Sequence, residues 1–275
     1  MNLISQIKEI KNKISGQILF NESLSKYSWF NLGGPARVIF RPKNLNELSI
    51  FLKDLKGFDK IKVLGVGSNT LIRDGGFNGV IIKFRKNFSH ISLIDENTLV
   101  AGASALDKNV SNFALENSLS GFEFLSCIPG TIGGGIRMNS GCYGEDISKI
   151  LISVQVMDLD GKINVIHASN IKFSYRKCNL DNNLIFVSAT FLGRKSKLVV
   201  SYGTCVILSG LAVRHPRRSV RLSPVSAVVR EETSPAPRSY RPLLSGCALC
   251  GCPLSRDKHE SSRSLRQEIL LISYI

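Results

Sequence analysis

The sequence predicts an α+β fold made of two small subdomains. Short apolar segments typical of strands alternate with amphipathic segments typical of helices, and strands joined by tight turns dominate the later part. Two glycine-rich segments lie between these elements. With 275 residues, of which 43% are hydrophobic, the chain is long enough to bury a sizeable core.

The first subdomain is predicted over residues 1–86. Apolar residues recur on one face of Leu3–Ile14, which indicates a helix. A second helix is expected after Asn44, because Asn is a favourable N-cap and Glu47 follows it at capping-box spacing. The strands predicted in this subdomain are Ala36–Arg41, Lys60–Gly65 and Gly79–Phe84.

The second subdomain is predicted over residues 87–197. A helix is expected over Ala105–Leu119, where apolar residues are three and four positions apart. Asp160-Gly161 is a typical hairpin turn between two strands. The strands predicted here are His90–Asn97, Thr98–Ser104, Ser153–Leu159, Lys162–Ala168 and Leu184–Phe191.

Residues 198–275 differ from the rest in composition. They contain no Phe and no Asn, but six of the nine prolines and ten of the seventeen arginines. We interpret them as a divergent Arg/Ser/Pro-rich tail that is disordered or poorly folded. The abrupt change in composition favours a foreign coding origin for this segment over a linker or a disordered arm. The basic run Arg214–Arg221 lacks interleaved aromatic residues, so a solvated arm is favoured over a nucleic-acid site. Cys247 and its neighbours lack zinc-knuckle spacing, and no metal site is predicted.

The chain is expected in the cytoplasm. Its first residues contain Lys8, Lys11 and Lys13 where a signal peptide needs an unbroken apolar core, and no apolar run is long enough for a membrane span. Cys127, Cys142, Cys178 and Cys205 are scattered, which favours reduced thiols.

The two glycine-rich segments predict a site for a flat, phosphate-bearing cofactor. Six glycines fall within residues 130–144, and a shorter cluster surrounds Gly65–Leu71. Neither has a dinucleotide-binding G-x-G-x-x-G that opens a helix, so a Rossmann domain is not expected. The amides of Gly65–Leu71 are instead suited to a nest around a pyrophosphate, with a plain tight turn as the alternative.

The chain contains, in this order, the motifs WFNLGGPARVIF, GVGSNTLIRDGGFNGVII, GFEFLSCIPGTIGGGIRMNSGCYGED and FSYR. These four motifs resemble those of the UDP-N-acetylenolpyruvoylglucosamine reductase family, in its short form. The resemblance covers about Leu3 to Arg194. It implies the two-subdomain FAD-binding fold of the p-cresol methylhydroxylase type and NADPH-dependent reduction of UDP-N-acetylglucosamine enolpyruvate to UDP-N-acetylmuramate, in peptidoglycan precursor synthesis.

The resemblance also implies that FAD and NADPH are the cofactors and that FAD lies between the two subdomains. The implied FAD-binding residues lie in the two glycine-rich segments, where Gly135 would also approach the flavin by its backbone and Asn139 would bond a ring heteroatom. Arg137 is expected at the surface, and Ile136 and Met138 in the core. The FAD-binding residues so implied are Gly65, Val66, Gly67, Ser68, Asn69, Thr70, Leu71, Pro129, Gly130, Thr131, Ile132, Gly133, Gly134, Asn139, Gly141, Tyr143 and Gly144.

Arg176, in FSYR, matches the catalytic arginine of the family. The resemblance implies that its guanidinium stabilises the negative charge that develops on the substrate carboxylate. Tyr175 either positions Arg176 or packs in the sheet. The implied partner is a nucleotide-sugar substrate; no membrane partner is expected, and nucleic acid is disfavoured.

The tail departs from the family where the substrate domain is expected. It has no segment like the one that contains the proton-donating serine, and Glu268 lacks the context of the family's C-terminal glutamate. Loss of a proton donor typically lowers the rate by about 10²- to 10⁴-fold. The predicted function is therefore this reductase, with FAD binding but little or no turnover expected because the substrate domain has no matching sequence. The alternatives are an FAD-binding remnant without turnover and a basic nucleic-acid-binding tail on a flavin scaffold.

Overall fold

The computed structural model describes residues 3–55, 58 and 60–196. The tail at 198–275, including Cys247 and Glu268, lies outside these described residues. No helix in the described part is long and apolar enough to cross a membrane. The helices of that part are α1 (Leu3–Lys11), α2 (Leu45–Asp54), α3 (Asp107–Glu116) and α4 (Ile132–Met138).

The first sheet is formed by the N-terminal strands. Its strands are β1 (Gln17–Ser23), β2 (Pro35–Arg41), β3 (Ile61–Val63) and β4 (Phe77–Ile82). They are ordered β1-β2-β4-β3, with β1 antiparallel to β2 and the other three strands parallel. Val80 of β4 lies opposite both Val38 and Ile61. Because parallel strands end at the same edge, the segments after β2, β3 and β4 meet there.

The second sheet is antiparallel. The remaining strands are β5 (Ile91–Leu93), β6 (Thr98–Gly102), β7 (Leu119–Ser120), β8 (Gly141–Cys142), β9 (Glu145–Asp146), β10 (Leu151–Met157), β11 (Ile163–His167), β12 (Phe173–Ser174), β13 (Lys177–Cys178), β14 (Ile185–Leu192) and β15 (Arg194–Lys195). Five of them form the sheet in the order β11-β10-β14-β6-β5. The rest form two-stranded pairs β12-β13, β15-β7 and β8-β9.

The hydrophobic core joins the two sheets. One cluster packs α1 and α2 against the first sheet, with Phe40 stacked on Phe51 at a centroid distance of 3.9 Å. The same cluster includes Met157, Ile185 and Val187 of the second sheet. A separate cluster packs α3 and α4 against the other part of the second sheet. Burial of this apolar area stabilises the arrangement of the two sheets.

Most predicted elements are present with small shifts in their ends. The Asn44 side chain accepts a hydrogen bond from the Glu47 amide at 2.9 Å and caps α2. The Glu47 carboxylate does not close the capping box; it accepts hydrogen bonds from Ser15 and from the Lys43 amide. The hairpin of β10 and β11 turns at Asp158–Lys162.

Several elements differ from the sequence prediction. The helix predicted over Ala105–Leu119 is shorter, because Ser118 has a positive φ of 57° and β7 then pairs with β15. The glycine-rich segment forms the helix α4, although glycine is a poor helix former. Strand β1 is an addition that was not predicted.

Candidate cofactor site

The Gly65–Leu71 segment follows β3 at the carboxyl-terminal edge of the parallel strands. Gly67 is buried and its neighbours are half-buried. In the described part of the chain, the amides of residues 66–70 donate no hydrogen bond. A run of unengaged amides in one short loop is an arrangement that holds phosphate oxygens. The segment therefore fits the predicted pyrophosphate nest.

Gly67 is required by the backbone of this segment. Its φ is 74°, and its carbonyl accepts a hydrogen bond from the Trp29 amide at 3.1 Å. A Cβ at this position would overlap the carbonyl oxygen of Tyr27. The loop is thus pressed against the Leu24–Tyr27 turn, which fixes the direction of its amides.

The two glycine-rich segments lie against each other. A Cβ on Gly65 would lie 2.7 Å from Thr131 Oγ1, and Asn69 Nδ2 donates to Met138 Sδ at 3.2 Å. Thr131 and Met138 lie at the two ends of α4, so the helix runs along the first segment. The structure therefore brings together the segments that the sequence predicts to share a ligand.

The amides at the start of α4 are divided between internal and open positions. The Ile132 amide donates to the Ala105 carbonyl at 3.0 Å, and the Gly133 amide donates to the Ala103 carbonyl at 2.9 Å. The Gly134 amide donates to no acceptor among the described residues. A predicted backbone contact to the flavin through Ile132 or Gly133 would therefore not use their amide hydrogens.

Gly134 is the glycine that the protein's own packing explains least. It is exposed and helical, and the only described atom near the position that a Cβ would take is Thr131 Oγ1 at 3.4 Å. Alanine would fit there and favour the helix. An open face of this kind, next to a loop of unengaged amides, suits a flat group lying on α4, as expected for FAD.

Gly130 and Gly135 enclose a buried acid. The Asp107 side chain is fully buried, and neither of its carboxyl oxygens has a hydrogen-bond partner among the described residues. A Cβ on Gly130 would lie 2.5 Å from Asp107 Oδ2, and one on Gly135 would lie 3.7 Å from Asp107 Oδ1. Burial raises the pKa of the Asp107 carboxyl to about 8. The group under the second segment is therefore neutral at pH 7.

Asn139 ties the end of α4 to its surroundings. It has a positive φ of 43°, its Oδ1 accepts from the Ser148 amide at 3.1 Å, and its Nδ2 donates to the Ser174 carbonyl at 3.3 Å. The side chain is 5% exposed. Its predicted hydrogen bond to the flavin ring remains a prediction, with one amide hydrogen left to make it.

Arg176 is held at the same place. It occupies the turn between β12 and β13 with a positive φ of 55°, and its guanidinium donates to the Gly141 carbonyl at 2.9 Å and the Asn139 carbonyl at 3.4 Å. The guanidinium carbon lies 5.2 Å from the centre of the Tyr175 ring. Tyr175 itself is 76% exposed. Of the two predicted roles for Tyr175, the contact with Arg176 is the one observed.

A tight hairpin extends from the end of α4. Tyr143 and Gly144, both with positive φ, form the turn between β8 and β9, as a type I′ turn requires. A Cβ on Gly141 would overlap the Glu145 carbonyl oxygen, so this glycine serves the hairpin itself. Tyr143 stands exposed at the tip. Of the remaining predicted residues, Pro129 is exposed and Thr131 is buried.

Arg137 is not a surface residue, and the prediction for it was wrong. Its guanidinium is half-buried over the Phe186 ring and donates to the carbonyls of Leu180, Asp181 and Leu184 at 2.8–3.0 Å. Three carbonyl acceptors replace the lost water, although burial still lowers the pKa of the group. Ile136 is buried as predicted, and Met138 is half-buried.

A cationic group behind the first segment was not predicted from the sequence. Lys83, which directly follows β4, donates its ammonium to the Gly65 carbonyl. Arg41, at the end of β2, donates to the Tyr27 hydroxyl at 2.7 Å. The signal available in the sequence was that each residue lies at the end of a predicted strand, β2 or β4. The third of these parallel strands, β3, leads into the glycine-rich loop.

Comparisons with known proteins show what this chain is similar to. A family model described as FAD binding domain matches residues 36–166. UDP-N-acetylenolpyruvoylglucosamine reductase from Pelagibacter ubique is 49% identical over 192 residues, which is 70% of this chain and 64% of that protein. The enzyme of the same name from Orientia tsutsugamushi (strain Ikeda) is 40% identical over 183 residues, which is 66% of this chain and 60% of that protein. The chain thus spans less than two thirds of the length of these relatives.

Solved structures show the same fold. The crystal structure of UDP-N-acetylenolpyruvylglucosamine reductase from Thermus caldophilus matches with a TM-score of 0.57 and 26% identity, over 66% of this chain and 63% of that one. The fold of 4-ethylphenol oxidase from Gulosibacter chungangensis is also similar, with a TM-score of 0.52 at 14% identity over 70% of this chain and 43% of that one. The predicted family resemblance, the α+β FAD-binding fold and the assignment of FAD are confirmed.

Proposed function

Because the chain is homologous to the UDP-N-acetylenolpyruvoylglucosamine reductases, we propose that its described residues form the FAD-binding part of such a reductase. The reaction is the NADPH-dependent reduction of UDP-N-acetylglucosamine enolpyruvate to UDP-N-acetylmuramate, for peptidoglycan precursors, in the cytoplasm. The two sheets support the division into subdomains 1–86 and 87–197. The substrate is a nucleotide sugar.

The fixed guanidinium of Arg176 is the observation that supports this function most directly. The carbonyls of Asn139 and Gly141, which follow α4, accept hydrogen bonds from it and hold it near the end of that helix. FAD, when bound, supplies the hydride chemistry. Arg176 then pairs with the substrate carboxylate and stabilises the negative charge that develops there, an effect worth a few kcal/mol in a water-excluded site.

The residues that would hold FAD have separate tasks. The unengaged amides of residues 66–70 donate to the phosphate oxygens, and the Gly134 face admits the flat ring system. Met138 and Asn69 join the two supports, so a ligand that touches both orders them together. The neutral Asp107 beneath α4 places no negative charge next to an anionic ligand.

A second candidate, FAD binding without turnover, is favoured by the sequence of residues 198–275. These residues contain no counterpart of the family's proton-donating serine segment. We therefore expect the chain to bind FAD and to reduce the enolpyruvyl substrate slowly or not at all.

The experiment is to purify the full chain, add FAD and measure both binding and turnover. A flavin absorbance at about 450 nm that remains with the protein after desalting supports the FAD site. Oxidation of NADPH that depends on UDP-N-acetylglucosamine enolpyruvate supports the reductase, and bound flavin without such oxidation supports the second candidate. Failure of the folded chain to retain FAD would contradict both.

Substitution of Arg176 tests its role separately from turnover. In Arg176→Gln we expect substrate affinity, followed through the flavin spectrum, to fall about 10- to 100-fold, because one charge-assisted interaction is lost. The affinity for FAD should stay unchanged. Arg194→Gln, an exposed arginine on β15, is the control. Equal substrate affinity in both variants would remove Arg176 from the site.

A further inference from the structure

Lys83 lies behind the Gly65–Leu71 segment in a half-buried position. It directly follows β4, and its ammonium donates to the Gly65 carbonyl, the first carbonyl of the segment. A lysine ammonium has three hydrogens to donate. The carbonyl of Gly65 is its one hydrogen-bond acceptor among the described residues, which leaves two hydrogens for a ligand.

Arg41 places a second positive charge next to Lys83. Its guanidinium carbon lies 5.1 Å from the centre of the Tyr27 ring, and the Lys83 ammonium lies 5.6 Å from the same centre. The guanidinium donates to the Tyr27 hydroxyl at 2.7 Å and to Gln17 Oε1 at 3.1 Å. Tyr27 therefore contacts both cations through its ring, and it contacts Arg41 also through its hydroxyl.

Within the described part of the chain, no carboxylate pairs with either of these two cations. The ion pairs of the described residues are Lys13–Asp54, Lys26–Glu22 and Lys149–Glu145, and none includes Lys83 or Arg41. The groups that face Lys83 are the Tyr27 ring, the Arg41 guanidinium and the Gly65 carbonyl. Burial and, second, Arg41 lower the pKa of Lys83 to about 8. Two partly buried cations without an acid are stabilised by an anionic ligand.

We propose that Lys83, supported by Arg41, is the cation that neutralises the diphosphate group bound by the Gly65–Leu71 amides. The identification of that diphosphate with the bridge of FAD rests on the proposed function. The site itself is defined by phosphate chemistry: unengaged amides supply directional donors, and Lys83 supplies the charge. Lys83 is thus a binding residue.

The proposal requires a specific pH dependence. Only the protonated Lys83 attracts the diphosphate, and the bound anion raises the pKa of the ammonium, so binding is accompanied by proton uptake near pH 8. Affinity for the diphosphate ligand is therefore highest below about pH 8 and falls as the pH rises above it.

The test uses the full chain, with FAD, ADP and riboflavin as separate probes, titrated at pH 6.5 and pH 9. Riboflavin has the flavin ring without phosphate, and ADP has the diphosphate without the ring. In Lys83→Met we expect affinity for FAD and ADP to fall about 10- to 100-fold at pH 6.5, with riboflavin binding unchanged. Lys83→Arg should keep most of the affinity and remove its fall between the two pH values. Lys53→Met, an exposed lysine on α2, should change nothing.

Two outcomes would overturn the assignment. One is unchanged FAD and ADP affinity in a folded Lys83→Met variant, and the other is an equal loss of riboflavin affinity, which would indicate a purely structural role. Thermal melting of each variant identifies misfolded protein, and the Lys83→Arg profile then decides the question. If ADP binding depends on Lys83 while FAD is not bound, the phosphate site stands and the proposed function fails. If the Lys83→Met variant loaded with FAD oxidises NADPH with the enolpyruvyl substrate as fast as the parent chain does, the proposed function stands and the assignment of Lys83 fails.

Discussion

The two glycine-rich segments differ in the charge that is buried behind them. Lys83 and Arg41 lie behind Gly65–Leu71, whereas Asp107 lies under α4. Burial moves the pKa of both Lys83 and Asp107 to about 8, in each case towards the neutral form. The consequences are opposite: an anionic ligand stabilises the protonated form of Lys83, while the protonated Asp107 avoids repelling that ligand. Burial of an ionisable group therefore suits a phosphate group at the Gly65–Leu71 segment and a neutral ring system at α4.

Substitution of Asp107 has the largest expected effect and tests the acidic side of this contrast. The folded-state pKa of about 8 lies above the ordinary value of 3.8, so folded protein retains a proton that unfolded protein has released between these pH values. The unfolding free energy therefore falls as the pH rises from about 4 to about 8, by on the order of 5 kcal/mol at most. In Asp107→Asn this fall should disappear, as measured by urea unfolding at several pH values.

Asp160→Asn is the matched control for Asp107→Asn, because Asp160 is an exposed acid in the β10–β11 turn. It should keep the pH dependence of the parent chain. A parallel decline in Asp107→Asn and in the parent would show that the Asp107 carboxyl is not held neutral by burial.

Gly67→Ala tests how far the first segment depends on its backbone. The new Cβ would overlap the Tyr27 carbonyl and sit at a φ of 74°, so we expect a loss of about 2–4 kcal/mol in stability, from overpacking and left-handed strain together. Gly144→Ala in the second segment is the control, since its φ is 80° but no described atom lies within 4 Å of the added Cβ. It should cost only about 1–2 kcal/mol. Equal losses in thermal melting would contradict the close approach of Gly67 to Tyr27.

Gly134→Ala has the smallest expected effect on stability and the opposite sign. Alanine favours the exposed turn of α4 by about 0.5–1 kcal/mol, and it has room for its Cβ. FAD affinity should nevertheless decrease, because the methyl group occupies the face on which the ring is proposed to lie. A stabilised variant with unchanged FAD affinity would move the flavin away from α4.

Local sequence signals were sufficient for the regular elements. Asn44 caps α2 as expected, and the apolar run of β4 is buried as parallel strands usually are. Local sequence signals were insufficient for α4, because its first turn is held by hydrogen bonds to the carbonyls of Ala103 and Ala105, which lie in a distant part of the chain. Propensity alone predicts against a helix with three consecutive glycines.

The candidate site was predicted in position but not in its charges. The two glycine-rich segments meet as expected, and Arg176 lies at the end of α4. The burial of Lys83 and Asp107 could not be predicted from the sequence, because charged residues are usually solvated and burial is a property of the tertiary fold. Lys83 is recognisable only once β2, β3 and β4 are known to be parallel neighbours.

The shared core has a consequence for the order of events during synthesis on the ribosome. The residues of α1, α2 and the first sheet pack against Met157, Ile185 and Val187, which are translated more than 70 residues after the last strand of that sheet. Until those residues emerge, the apolar face around Phe40 and Phe51 lacks part of its cover. A nascent chain that ends before Met157 therefore exposes hydrophobic surface to which chaperones can bind and through which it can aggregate. Its folding is limited by contacts between residues distant in sequence.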